Sequence, residues 1–178
     1  LFHDMGKPVM KTTDENGRDH FKGHAIASEQ IAKTVMKRLK FDNDTIRKVT
    51  KLVAYHDYRM EPTGANVRRA MHEIGVELFP YYLAVRLADT KAQSSYERRG
   101  KLENIIQIRE LYRNALRNKE CVTLKDLAVT GTDLINLGIA PGKELGTLLN
   151  ELLDIVIEDP AWNQKGKLCD YVKERFGF

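Results

Sequence analysis

His24-Ala25-Ile26-Ala27-Ser28-Glu29-Gln30-Ile31-Ala32-Lys33-Thr34-Val35-Met36-Lys37-Arg38-Leu39 is the stretch on which the fold class turns. Its apolar residues Ala25, Ile26, Ile31, Ala32, Val35, Met36 and Leu39 recur at helical spacing, which predicts a helix over about residues 24–39. The same period continues nearly to the end of the chain. Phe41-Asp42-Asn43 reads as a turn, and Asp42 or Asn43 can cap a second helix carrying Ile46, Val49, Leu52, Val53 and Tyr55 up to His56. Pro62-Thr63-Gly64 breaks the chain before a shorter helix over 66–74. Pro80 suits the first turn of a helix that runs through Arg86 to Asp89. A charged connection at 96–100 leads to a long amphipathic helix over 102–118. Two short helices punctuated by glycines follow, then helices over 144–157 and 165–175. No segment with the strand period has convincing length, so the expected fold class is all-α.

Upstream of this pattern stands Leu1-Phe2-His3-Asp4-Met5-Gly6-Lys7-Pro8. His3-Asp4 reads as the end of a helix whose start is missing, with Gly6 and Pro8 stopping it. Residues 9–21 contain an Asn16-Gly17 turn signal and predict a long loop or small hairpin. The chain is expected to be a piece of a longer protein, cut inside or just before a functional motif, with Leu1 and Phe2 poorly anchored.

Composition narrows the function classes. Lys+Arg 29 against Asp+Glu 25 gives a net charge of +4, which permits nucleic-acid binding without arguing for it. Cys121 and Cys169 are far apart, so neither a disulfide framework nor a zinc ribbon is expected, and a cytoplasmic setting is the default. No apolar run approaches the roughly 20 residues needed to span a bilayer.

His3, Asp4, His24, His56 and Asp89 are the candidate metal ligands. Adjacent residues on a helix point about 100° apart, but at a helix end His3 and Asp4 can converge on one cation. Imidazole with carboxylate suits Mn, Fe, Co, Ni or Zn, with Mg possible. Asp89 follows Leu87-Ala88 on a core-facing helix, where a carboxylate needs a partner. The bland alternatives are a helix-start histidine at residue 24 and a helix C-terminal cation at residue 56. His20 and His72 read as surface or packing histidines. Phe79, Tyr81, Tyr82 and Trp162 read as core or helix-packing aromatics, since they are not interleaved with basic residues.

His3-Asp4-Met5-Gly6-Lys7-Pro8 resembles the His-Asp-x-Gly-Lys signature of the HD superfamily of metal-dependent phosphohydrolases. The resemblance implies a helical bundle with His3 and Asp4 as paired ligands and Asp89 as the distal one. It also implies that His24 and His56 are the extra histidines some members use for a second metal. The family's first histidine would lie upstream of Leu1. In such a site a cation acidifies a bound water and polarises the phosphoryl oxygen. Asp4 is then the candidate proton acceptor, Lys7 a candidate phosphate ligand, and Arg86, one turn before Asp89, a third catalytic candidate.

A second resemblance covers residues 126–160. Gly131-Thr132-Asp133-Leu134 and Leu137-Gly138-Ile139-Ala140-Pro141-Gly142 resemble the C-terminal part of bacterial tRNA nucleotidyltransferases of the CCA-adding and poly(A) polymerase family. It implies an HD-like domain over 1–120 and a helical tail over 121–178, acting on nucleotide 2′-phosphates or 2′,3′-cyclic phosphates. The nucleotidyltransferase head, with its Gly-Ser and paired-aspartate motif, has no counterpart, so no nucleotide addition is expected from this chain alone. Arg109, Arg113 and Arg117 are the candidate RNA contacts, partly neutralised by Glu103, Glu110 and Glu120. The rival expectation is a non-catalytic, tRNA-positioning helical module; a third is a nucleotide-sensing regulatory domain.

Overall fold

A computed structural model describes residues 2–177. Among them the fold is all-α apart from one two-stranded ribbon. The helices are α1 (Lys7–Met10), α2 (His24–Arg38), α3 (Asn43–Tyr55), α4 (Gly64–Ile74) and α5 (Phe79–Ala92). They continue with α6 (Arg98–Arg117), α7 (Gly131–Asn136), α8 (Lys143–Glu158) and α9 (Lys165–Phe176), with 3₁₀ turns at Leu124–Asp126 and Pro160–Trp162. Strands β1 (Thr12–Thr13) and β2 (Asp19–His20) pair antiparallel, Thr12 opposite His20, around the Asn16-Gly17 turn. No helix among the described residues is long and apolar enough to cross a membrane.

The chain divides into two compact units. The first comprises Leu1–Met60 and Ile74–Ile105, the second Glu61–Glu73 and Ile106–Phe178. In the first, α2 packs along α3, and α3 against α5. Ala32, Met36, Ile46, Val53, Phe79, Tyr82 and Leu83 form its buried apolar core. Asp42 caps α3 by accepting from the Thr45 N–H at 2.9 Å, which satisfies one of the orphan amides at the helix start. At the other end of the α2–α3 connection Lys40 takes a left-handed φ of 59°, and Phe41 N–H donates to the Met36 carbonyl at 3.1 Å. That is a Schellman ending in which lysine stands where glycine is usual.

The second unit is built around α8. Leu148, Leu152, Leu153, Val156 and Ile157 are buried against Leu134, Leu168 and Val172. Thr130 and Asp133 make a reciprocal capping box at the start of α7. Arg68, 7% exposed, holds α4 to this core. Its Nε donates to the Ile157 carbonyl at 2.7 Å, Nη2 to the Glu158 carbonyl at 3.0 Å, and Nη1 to Glu120 Oε2 at 2.8 Å. The two carbonyls are orphan acceptors at the negative end of α8, where a cation is favoured. His72 adds a ring-nitrogen bond to the Val122 carbonyl at 2.9 Å, which gives it a structural part.

Several expectations are corrected. Pro8 does not stop a helix. It occupies the first turn of α1, where its missing N–H costs nothing, and His3 and Asp4 lie in the turn before it. α6 begins at Arg98 rather than at residue 102, so Arg98, Arg99 and Lys101 are helical. Phe79 and Tyr82 are fully buried and Trp162 packs edge-on against Tyr171 of α9, as expected, but Tyr81 is 62% exposed. Phe2 is half-buried and lines an apolar cavity with Val49, Leu52, Val53 and Val85, whereas Leu1 lies outside the described residues.

Candidate metal centre

The site grows out of one close contact. Gly6 lies flat against the first turn of α2, where its N–H donates to the buried Ser28 Oγ at 2.8 Å. A Cβ at position 6 would collide with the His24 carbonyl and lie 2.7 Å from the Ser28 nitrogen. Only glycine lets the chain approach so closely. The contact brings the turn that carries His3 and Asp4 beside His24, the first residue of α2. His56 enters from the C-cap of α3, and Asp89 from the last turn of α5.

All five expected ligands meet in the first unit. Asp4 Oδ1 lies 3.5 Å from His24 Nε2 and 3.5 Å from His56 Nε2. Asp4 Oδ2 lies 3.4 Å from His3 Nε2, which is 3.7 Å from Asp89 Oδ1. Two groups result, Asp4–His24–His56 and His3–Asp4–Asp89, each with ligand atoms inside 4.8 Å of one another, and Asp4 belongs to both. One oxygen of its carboxylate faces each group.

The histidine tautomers follow from their neighbours. His24 Nδ1 is 2.9 Å from the Phe21 carbonyl, and His56 Nδ1 is 2.7 Å from the Val53 carbonyl. A carbonyl can only accept, so each Nδ1 carries the hydrogen. In the neutral rings both Nε2 atoms then present lone pairs, 3.1 Å apart and both turned toward Asp4. Burial pushes the His56 pKa down, which favours the neutral, ligating ring. With both rings neutral three acceptors converge on one point, an arrangement that a cation among them would relieve. A backbone carbonyl that fixes the far ring nitrogen is also the usual support of a metal-bound histidine.

The other candidates are placed as follows. Lys7 Nζ is 2.7 Å from Asp4 Oδ2 and 5.9 Å from the Phe21 ring centre. Burial raises the Asp4 pKa, but the Lys7 hydrogen bond and the neighbouring charges, chiefly those of His3 and Lys7, outweigh it, so the carboxyl is held below its ordinary value. Arg86 is buried, and its Nη1 donates to the Tyr82 hydroxyl at 3.2 Å. Lys7, Arg18, Lys22 and Arg59 line the cleft of about 700 Å³ that opens onto Asp4, His24, His56 and Asp89. His20 is exposed, 2.8 Å from Asp14.

The three arginines of α6 belong to the second unit, and the cluster to the first. Arg113 pairs with Glu110 at 2.7 Å, Arg117 bonds Asn114, and Arg109 is half-buried. Sequence reasoning passed over Gln93, whose Nε2 donates to Asp89 Oδ2 at 2.6 Å, and Lys101, whose Nζ donates to Gln93 Oε1 at 3.0 Å. The first was visible in principle, because residues 89 and 93 share a helix face.

Residues 24–172 match the family model of tRNA nucleotidyltransferase domain 2. Among curated proteins the chain is similar to a CC-adding tRNA nucleotidyltransferase of Thermus thermophilus, 29% identical over 164 residues. That alignment covers 89% of this chain and 35% of the relative, so the chain spans about a third of that protein's length. No solved structure matches.

Proposed function

The chain belongs to the tRNA nucleotidyltransferase domain 2 family, and from that premise we propose that it is the helical part of a tRNA-processing enzyme carrying a metal-dependent phosphohydrolase site of HD type. One observation supports the phosphohydrolase reading above the others. Two imidazole nitrogens and a carboxylate oxygen converge, and the far nitrogen of each ring is held by a backbone carbonyl. Imidazole with carboxylate suits a divalent transition metal or Mg. His24, His56 and Asp4 would hold one ion, and His3, Asp4 and Asp89 a second. A bound divalent cation supplies an acidified water and a polarised phosphoryl oxygen.

The chain's own residues do the rest. Asp4, with an oxygen toward each group, orients the nucleophile and takes its proton. Lys7 leaves Asp4 and holds a substrate phosphate once cations satisfy the carboxylate. Arg86 offers its guanidinium to a substrate phosphate on the side of Asp89. The substrate class is nucleotide 2′-phosphates, 2′,3′-cyclic phosphates or related phosphoesters. Functionally the HD-like region is assigned to 1–120 and the tail to 121–178. Arg109, Arg113 and Arg117 are assigned to tRNA contact in the whole enzyme.

A second reading is a non-catalytic, tRNA-positioning module. What favours it is that the family match starts at His24 and leaves out His3 and Asp4, and that Lys7 already compensates Asp4. Metal content after dialysis and hydrolysis of 2′,3′-cyclic nucleotides separate the two. The phosphohydrolase reading expects one or two bound divalent ions and turnover that Asp4→Asn lowers at least about a hundredfold. Stoichiometric tRNA binding with no metal and no turnover, in a chain extended upstream as well, establishes the second reading instead.

A further inference from the structure

A chain of three cavities in the first unit leads from the candidate ligands to a group of cations of which the proposed reaction has used only Arg86. The metal-side cleft shares His56, Asp89, Gln93 and Arg59 with a small cavity of about 40 Å³. That cavity in turn shares Arg59, Arg86 and Lys101 with an outer one of about 550 Å³.

The cations there are poorly compensated. Arg86 is only 9% exposed, and among the described residues no carboxylate lies within 4.0 Å of it. Its bond to Tyr82 Oη engages one of five guanidinium donors, and that hydroxyl in turn donates to the Tyr58 carbonyl at 2.7 Å. A buried guanidinium without an anion is costly, because desolvation is not repaid. Lys101 Nζ rests on a neutral amide, Gln93 Oε1, at 3.0 Å. Arg98 donates to the Gln93 carbonyl, and its own Nε is buried with no partner among the described residues. Acids do face the group, but two are engaged elsewhere. Asp57 is held by Arg59 at 3.0 Å, and Asp89 is turned to His3 and Gln93. Glu97, on the wall of the outer cavity, is the third.

We propose that Arg86 and Lys101 form an anion subsite beside the candidate metal centre, shaped for a second phosphate group of the same substrate, one that is not hydrolysed. The claim builds on the phosphohydrolase reading and narrows its substrate class to nucleotides with two separated phosphates, such as the end of a polynucleotide. Arg86 and Asp89 are one helical turn apart, so the two phosphates sit within one nucleotide's reach. Arg86 supplies the planar fork suited to phosphate, Lys101 a mobile point charge. Gln93 connects the two functions, since it holds Asp89 with its nitrogen and Lys101 with its oxygen.

Binding tests this without turnover. Metal-free protein is titrated calorimetrically with adenosine 2′-monophosphate, adenosine 2′,5′-bisphosphate and inorganic phosphate. The bisphosphate is expected to bind about tenfold more tightly than the monophosphate, the worth of one charge-assisted hydrogen-bonded contact. Lys101→Ala brings that ratio close to one, Lys101→Gln does the same, and Lys101→Arg retains it. A ratio near one in the wild type, a ratio that survives both neutral substitutions, or binding of inorganic phosphate with no bisphosphate advantage overturns the proposal. Absence of hydrolysis would sink the phosphohydrolase reading and leave this measurement intact.

Discussion

Two buried arginines, one in each unit, are treated in opposite ways. Arg68 spends its guanidinium on three protein acceptors, two of them carbonyls at the end of α8 and one the carboxylate of Glu120. Its charge is closed within the protein. Arg86 is buried to a similar depth and bonds a single neutral hydroxyl. The same contrast runs through the histidines. His72 bonds a backbone carbonyl at an exposed position where water can meet its other nitrogen, whereas His24 and His56 are fixed on one side and bring their remaining nitrogens together away from solvent. A structural polar group is satisfied internally, because an unpaired one is expensive. Groups left open side by side are what the proposed ligand site requires.

The comparison breaks most readily at its two arginines. Arg68→Met should cost about 3–5 kcal/mol, since it strands the carboxylate of Glu120 and two helix-end carbonyls. Arg86→Met removes a charge that no acid among the described residues balances and should shift stability by less than about 1 kcal/mol. Urea unfolding of both variants gives the answer, and equal losses would show that Arg86 is as structural as Arg68.

Glycines sharpen it at the next level. Gly6→Ala forces a Cβ into the backbone of α2 and should cost about 1–3 kcal/mol, together with a fall in bound metal. In the second unit a Cβ at Gly131 meets only leucine side chains, the nearest at 3.6 Å. Gly131→Ala should therefore be neutral or gain about 0.5 kcal/mol through the stiffer unfolded chain. Thermal melting with metal analysis separates a centre that depends on close approach from a helix start that does not.

The smallest effect is electrostatic. The hydrogen bond from Lys165, with those from the Thr130 backbone and hydroxyl, holds the Asp133 carboxyl at about 2, below the ordinary 3.8. A depressed folded pKa contributes stability fully above the unfolded value and loses it as pH falls toward 2. Acid titration should therefore find Asp133→Asn less stable than the wild type at neutral pH, with the gap closing between about pH 4 and 2. A gap independent of pH would assign the effect to the capping geometry instead.

Much of the helical architecture was legible because the apolar period is local. The α3 start was readable from Asp42 and the α5 start from Pro80, since caps act within one turn. What escaped was set by distant partners or by unusual backbone. Nothing around Arg68 announces bonds to residues 89 and 90 positions away. Lys40 ends α2 in a conformation that the sequence signals only when glycine occupies it. Pro8 was misread as a terminator because a proline near a helix end and one in a first turn look alike when the helix is only four residues long. In the candidate centre the ligand types were readable from their chemistry. The two-sided use of Asp4 was not, because it depends on how closely Gly6 meets α2. Gln93 and Lys101 were passed over because an amide and one lysine in a basic run carry no chemical signature of their own.

Every candidate ligand sits at a helix boundary: His3 and Asp4 before α1, His24 at the first residue of α2, His56 at the cap of α3, Asp89 in the closing turn of α5. Boundaries are where helices fray, opening at far lower free energy than their middles. The candidate centre is thus assembled from helix ends rather than helix middles. An ion bound there acts as a staple across them, suppressing local opening more than it raises global stability. Its presence should be felt most in the amide exchange rates of those end turns, and the precision of the site then depends on what it holds.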